Sequence, residues 1–177
     1  MSISDRSSDH DHLRPFIGFI VNPVAGMGGS VGLKGTDGEA IVHEAVLRGA
    51  RPIAGERAGK ALKRLLAILP HIRVLTVAGP MGEVVAREAG IEPIVLNLSH
   101  TGSSKSLDTR LAAEAMAEQG VGLILFAGGD GTARDILGAS GHRVPMLGVP
   151  AGVKMHSAVF GTTPANAGHV AALFLAG

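Results

Sequence analysis

The residues best suited to chemistry lie in one short turn, Ala127-Gly128-Gly129-Asp130-Gly131-Thr132. The turn follows an apolar run, 121–126, and precedes a segment, 133–137, that has the composition of a helix start. A strand, a glycine-rich turn and a helix N-terminus together predict a phosphate-binding turn, because glycines let backbone N–H groups approach phosphate oxygens and the helix dipole favours an anion. A carboxylate repels phosphate, so Asp130 is expected to hold a metal ion or to take the proton of a hydroxyl that attacks phosphorus.

The same turn also admits a purely structural interpretation. Thr132-x-x-Asp135 resembles a capping box, in which Thr132 caps a helix and Asp130 merely fits a turn. The rest of the chain has to decide between the two interpretations.

Other glycine- or hydroxyl-rich loops follow other predicted strands. The strand 16–21 leads into Asn22–Ser30, the strand 92–97 leads into Ser99–Ser104, and the strand 144–149 leads into Pro150–Ser157. Loops that follow parallel strands lie at one edge of the sheet, where ligands bind in open α/β sheets. This convergence favours a ligand site over helix caps alone. A second set of polar residues, on and near a glycine-rich lid, is predicted to meet a substrate: Lys34, Thr36, Asp37 and Thr101.

The elements that must position these loops alternate along the chain. Apolar runs predict strands over 16–21, 72–77, 92–97, 121–126 and 144–149, and helical patterns separate them. This alternation predicts an α/β fold with three α/β/α layers and a mostly parallel, Rossmann-like sheet of about five strands. Several large apolar residues are assigned to buried helix faces: Ile41, Val42, Val46, Val84, Val85, Leu107, Leu111, Met116, Val170, Leu173 and Phe174.

The composition excludes several classes of partner. The chain has 177 residues, a net charge of +1 and 3% aromatic residues, which leaves no electrostatic or stacking surface for nucleic acid. It has no cysteine, which fits a cytoplasmic protein, and no apolar run near the ~20 residues of a membrane span. Residues 1–15 are predicted to form a disordered tail, and residues 16–177 a single domain.

Three motifs in order resemble a known superfamily. They are Ile20-Val21-Asn22-Pro23-x-Ala25-Gly26, Gly128–Asp135 and Gly148–His156. The second resembles the nucleotide-phosphate motif of NAD kinases, diacylglycerol-kinase-type lipid kinases and phosphofructokinases. Together the three motifs look like the ATP-NAD kinase-like group that includes the acetoin-catabolism X protein, and the resemblance covers about residues 16–164.

The resemblance implies a Mg²⁺-dependent kinase that transfers the γ-phosphoryl of ATP to a hydroxyl, which in NAD kinases is the ribose 2′-hydroxyl of NAD. It assigns Asp130 as the catalytic acid-base residue and the metal ligand. It also implies small-molecule nucleotides as partners and a homo-oligomer. The residues that it assigns to nucleotide and phosphate binding are Asn22, Gly26, Gly128, Gly129, Gly131, Thr132 and Lys154.

Two departures from the family pattern keep other functions open. NAD kinases carry an Asn-Glu pair after the Gly-Gly-Asp-Gly-Thr motif, whereas the only later asparagine here is Asn166, with no Glu following it. The family also has a β-rich second domain, whereas the given residues end at Gly177, just after the last predicted helix of the first domain, so the chain is expected to be either a fragment or a naturally short member. The alternatives are a non-catalytic nucleotide-binding module and a kinase whose acceptor is a lipid or small polyol. A dehydrogenase is disfavoured, because no Gly-x-Gly-x-x-Gly fingerprint follows the first strand.

Overall fold

A computed structural model describes residues 14–33, 39–98, 106–152 and 155–177. Its centre is a five-stranded sheet with the order β3-β2-β1-β4-β5, in which every pair of neighbours is parallel. The strands are β1 (Phe16–Val21), β2 (Arg73–Val77), β3 (Ile94–Leu96), β4 (Leu123–Gly128) and β5 (Met146–Pro150). Each strand begins within two residues of its predicted start, so the predicted parallel sheet is confirmed.

The helices fall where the sequence pattern predicts them. In the described part of the chain they are α1 (Glu39–Leu47), α2 (Ala54–Ile68), α3 (Glu83–Glu88), α4 (Ser106–Glu118), α5 (Asp130–Ser140) and α6 (Pro164–Ala176). Short 3₁₀ helices cover Met27–Val31 and Gly79–Met81. The helical segment after β2 therefore starts with a 3₁₀ turn, with Pro80 near its beginning, and becomes α-helical only at Glu83.

Both faces of the sheet are covered. On one face Ile17, Phe19 and Val21 pack with α2, α3 and α6; on the other Ile20 packs with α4 and α5. Alternate residues of a strand point to opposite faces, so an apolar run such as 123–127 is buried on both sides. This arrangement confirms the three-layer α/β/α fold. α1 lies apart, against the 3₁₀ helix Met27–Val31.

Several predictions of buried helix faces are wrong. On α6, Leu173 and Phe174 are 56% and 53% exposed, while the small residues Ala167, Gly168, Ala171 and Ala172 are buried. The reason is the close approach of α6 to α2, in which the backbone at Gly168 lies against the carbonyl oxygen of Ala61. Large side chains do not fit between helices this close. The other residues predicted to be buried that are exposed are Ile41, Val46, Val84, Leu107, Leu111 and Val170.

A search for membrane-spanning segments is negative for the described helices, none of which combines the length and the apolar character needed to cross a bilayer.

The α2–α6 contact yields a stability prediction. Gly168→Ala places a Cβ into the Ala61 carbonyl oxygen, which forces the helices apart, so we expect a loss of about 1–3 kcal/mol in the free energy of unfolding. Gly138→Ala on α5 is the matched control, because a Cβ there meets open space and alanine favours the helix by up to about 1 kcal/mol. Urea unfolding of both variants checks this; equal stabilities would contradict the packing argument.

Candidate functional site

The loops after β1, β4 and β5 meet at the carboxyl edge of the sheet through backbone contacts. The Asn22 N–H donates to the carbonyl oxygen of Ala127 at 2.9 Å. The carbonyl oxygen of Gly128 accepts from the N–H groups of Ala151 and Gly152 at 3.1 and 3.0 Å. The three sequence motifs are therefore brought together in space, as predicted.

Side chains of the first two motifs also contact each other. Asn22 Nδ2 donates to Thr132 Oγ1 at 3.1 Å, and Asn22 Oδ1 accepts from the N–H of Val24 at 3.3 Å. Thr132 is buried, and the residue before α5 is Gly129, with no side chain capping the helix. The capping-box interpretation of Thr132 is therefore wrong: its hydroxyl joins the two motifs instead of starting a helix.

Most glycines of the site are needed for packing between the loops. A Cβ at Gly128 would collide with Thr132, and one at Gly152 would lie 2.8 Å from the Cα of Gly129. Gly26 has φ +80° and faces the carbonyl oxygen of Ala151 with no room for a side chain. Gly131 differs, because a Cβ there meets nothing within 4 Å. Its N–H is in the first turn of α5, where no partner within the helix is available, so it is open to a ligand.

Asp130 is the first residue of α5, and its carboxylate accepts hydrogen bonds from the β5–α6 loop. Oδ2 accepts from the N–H of His156 at 2.7 Å, and Oδ1 accepts from Ser157 Oγ at 2.6 Å and from the Ser157 N–H at 3.3 Å. The Ser157 hydroxyl, followed by the His156 N–H, holds the pKa of Asp130 below its ordinary value. Asp130 is therefore ionised at neutral pH.

These contacts limit what Asp130 can do. A carboxylate has about four acceptor positions, and three hydrogen bonds from the loop already occupy three of them. One position is left for a hydroxyl or a cation. A lowered pKa also makes the carboxylate a weak general base, because proton transfer is most efficient when the pKa lies near the working pH.

Two grooves open beside these loops. The first, with a volume of about 330 Å³, lies between α4 and α5 and is lined by Arg110, Gly131, Arg134, Asp135 and Gly138. The second, with a volume of about 560 Å³, lies at the end of β5 between α2 and α6. Arg57 lines it and donates from Nη1 to the carbonyl oxygen of Pro150 at 2.9 Å.

Comparison with protein families identifies the family of this domain. The family model described as the ATP-NAD kinase N-terminal domain matches residues 17–177. The chain belongs to this family. Searches of curated proteins and of solved structures gave no match. The ATP-NAD kinase domain thus accounts for the parallel sheet and for the glycine-rich turn, and it establishes a kinase of NAD-kinase type.

Several predicted site residues of the ATP-NAD kinase domain fall outside the described residues. They are Lys34, Thr36, Asp37, Thr101 and Lys154. Their assignments to the substrate loop and to phosphate binding stay predictions. The ligand roles of Asn22, Gly26, Gly128, Gly129, Gly131 and Thr132 also stay predictions, although the structure gathers these residues at one edge.

Sequence reasoning missed the partners of Asp130. Ser157 ends the loop 150–157, which the sequence assigns to the ligand edge of the sheet without giving Ser157 a role of its own. A hydroxyl at the end of such a loop is the signal that it could reach a neighbouring loop. Arg57, Arg110 and Arg134 gave no signal, because charged residues on helices usually form a solvated face.

The family implies Mg²⁺, and the described side chains fit one way of binding this ion, in which a carboxylate shares it with substrate phosphates. No cluster of three or more His, Cys, Asp or Glu that could hold a metal ion is found among the described residues of the ATP-NAD kinase domain. Magnesium is commonly bound by one or two carboxylates together with substrate phosphates and water. The last free acceptor position of Asp130 fits a Mg²⁺ ion that arrives with a nucleotide.

The contacts of Asp130 predict an acid-side effect on stability. Because its pKa is lowered in the folded protein, the stabilisation is fully present above the pKa of the unfolded chain and disappears as the pH falls through the folded value. We expect Asp130→Asn to lower stability at neutral pH, and the difference from wild type to shrink in acid. Urea unfolding at a series of pH values, without metal, measures it.

The companion variant is Ser157→Ala, which removes the strongest donor to Asp130. Carboxyl NMR titration should show the pKa of Asp130 rising towards its ordinary value in this variant. An unchanged pKa would contradict the role given to the Ser157 hydroxyl.

Proposed function

We propose that this domain transfers the γ-phosphoryl group of ATP to the ribose 2′-hydroxyl of NAD, giving NADP and ADP. The observation that carries the proposal is the position of Asp130, an ionised carboxylate at the start of α5 inside the glycine-rich turn of an ATP-NAD kinase domain. An anion at this point has no use in binding phosphate alone. It has a use where a hydroxyl or a cation must meet a phosphate.

The turn supplies the groups that bind phosphate. The first-turn N–H groups of α5, among them those of Gly131 and Thr132, point out of the helix N-terminus. Their dipoles and the open space at Gly131 suit a phosphate oxygen. Asn22 keeps the hydroxyl of Thr132 in place, and Lys154 is assigned to charge neutralisation.

Phosphoryl transfer then needs mostly positioning. The hydroxyl oxygen of the acceptor attacks the γ-phosphorus, the bond from this phosphorus to the oxygen bridging it to the β-phosphorus breaks, and ADP leaves. Asp130 orients the hydroxyl by accepting its hydrogen bond. Because its pKa is lowered, it passes the proton on to solvent and does not store it. Magnesium, when bound with ATP, supplies neutralisation of phosphate charge.

The two grooves provide space for two ligands, as a phosphotransferase requires. Their volumes of about 330 and 560 Å³ lie within the usual range of ligand sites, about 300–1,000 Å³. We assign the acceptor to the vicinity of Asp130 and the substrate-loop residues Lys34, Thr36, Asp37 and Thr101.

A second candidate function follows from the contacts of Asp130. Three hydrogen bonds from the β5–α6 loop give this carboxylate a structural use that needs no catalysis. A non-catalytic nucleotide-binding module would keep the turn and this tie between loops. It predicts that removing the charge of Asp130 leaves nucleotide binding intact or improves it, because a negative charge next to phosphates is lost.

The test is NADP formation from NAD and Mg-ATP by the folded chain. Asp130→Asn should reduce turnover by at least about 100-fold, the lower range for a positioned acid-base group, while circular dichroism shows that the fold is kept. Glu118→Gln, which removes a charge at the exposed end of α4, is the control and should keep full turnover.

The outcomes separate the two functions. Full activity in Asp130→Asn would overturn the role of Asp130. The binding module would be favoured if the folded wild-type chain binds Mg-ATP without forming NADP, and if the Asp130→Asn variant binds Mg-ATP equally well.

A further inference from the structure

The groove between α4 and α5 carries two arginines and an aspartate beside the glycine-rich turn. It starts at Gly131, directly after Asp130, and runs for two turns of α5 to Gly138. Arg134 and Asp135 line it from α5, and Arg110 lines it from α4. The groove is thus continuous with the phosphate turn.

The partners of its two arginines differ from those of Arg48 and Arg87. Arg48 and Arg87 each pair with a glutamate on their own helix. Across the described residues, neither Arg110 nor Arg134 has a carboxylate partner. Arg134 turns towards the phosphate turn, since its Nε lies 3.4 Å from the backbone oxygen of Asp130. Two guanidinium groups without a carboxylate partner in one groove are suited to bidentate binding of phosphate oxygens.

The floor of the groove is open because it is made of glycine. A Cβ at Gly131 or at Gly138 meets nothing within 4 Å, so no side chain or neighbouring element fills the space above them. Glycine in the middle of a helix is unfavourable by about 1 kcal/mol relative to alanine. Packing within the chain gives no reason for glycine at Gly138, whereas a ligand that lies on α5 does.

We propose that this groove binds the ribosyl-diphosphate part of the acceptor nucleotide, with Arg110 and Arg134 on the diphosphate. The assignment rests on the proposed function, because it needs an acceptor that carries a diphosphate. In NAD the 2′-hydroxyl and the 5′-diphosphate belong to the same adenosine ribose. A 2′-hydroxyl at Asp130 therefore leaves the diphosphate only a few bonds away, beside the start of the groove.

Asp135 narrows the class of ligand that fits the groove. Its carboxylate lines the same groove as the two guanidinium groups and would repel a bare phosphate. A carboxylate is, however, the usual acceptor for ribose hydroxyl groups in nucleotide sites. Two arginines with one aspartate therefore match a diphosphate attached to a ribose better than they match a triphosphate.

The first experiment tests the groove without reference to the acceptor. Sodium pyrophosphate is titrated into the ¹⁵N-labelled chain without metal, and the Nε–H signals of Arg110 and Arg134 are followed. Both signals should shift along one saturation curve. Asp135→Ala should tighten this binding, because it removes a negative charge from the groove. Signals that do not move would overturn the groove as an anion site, whatever the enzyme's acceptor is.

The second experiment distinguishes acceptor from donor by calorimetry with NAD and, separately, with Mg-ATP. The double variant Arg110→Ala/Arg134→Ala should bind NAD at least about tenfold more weakly, as expected for the loss of charged hydrogen bonds, and should bind Mg-ATP unchanged. Lys63→Ala removes one positive charge from an exposed position on α2 outside both grooves and should change neither affinity. Weaker binding of Mg-ATP with NAD unaffected would overturn the assignment to the acceptor.

A third variant fills the groove without changing charge. Gly138→Leu should weaken NAD binding and keep Mg-ATP binding, and Gly138→Ala serves to show that the helix tolerates a side chain there. Asp135→Ala should weaken NAD binding while it tightens pyrophosphate binding, a pair of opposite effects that a general loss of structure does not produce. Equal effects of Asp135→Ala on both ligands would overturn the ribose assignment.

Discussion

The site depends on backbone contact between the loops that follow β4 and β5. The carbonyl oxygen of Gly128 accepts two N–H groups from the β5 loop, and the backbone of Gly129 lies too close to Gly152 for a side chain at Gly152. Gly26 brings the first loop against the same point. Polar side chains are then placed by backbone that cannot move independently. The glycine-rich turn is held in place because three parts of the chain, distant in sequence, share one packed junction.

Asp130 belongs both to this junction and to the proposed phosphoryl transfer. Its carboxylate extends the contact between the β4 and β5 loops by hydrogen bonds to His156 and Ser157. The same bonds keep it ionised and leave a single acceptor position free. In the proposed function one residue both fixes the loop and faces a ligand, and these two uses share one physical cause, the lone pairs of a charged carboxylate.

The sheet could be predicted from the sequence because buried parallel strands are continuous apolar runs, as in 121–126. Such a run can be recognised without knowing which elements pack against it. Prediction failed for helix faces: on α6 small residues pack against Ala61 of α2 and Phe174 remains outside. Periodicity marks an apolar face but does not show how near the partner helix lies. The turn around Asp130 could be predicted from its glycines. The hydrogen bond from Ser157 to Asp130 could not, because it joins residues 27 positions apart and depends on the path of an irregular loop.

The strand order has a consequence for how the chain acquires its structure. β1 is the first strand of the described chain, yet it occupies the centre of the sheet, where Ile17 pairs with Leu123 of β4. Closing a loop this long carries an entropy cost before any contact is gained, and such topologies fold slowly. During synthesis, β1 therefore has one unpaired edge until more than a hundred later residues have emerged. Unpaired strand edges are prone to aggregation, so β1 is exposed to this risk until the centre of the sheet is closed.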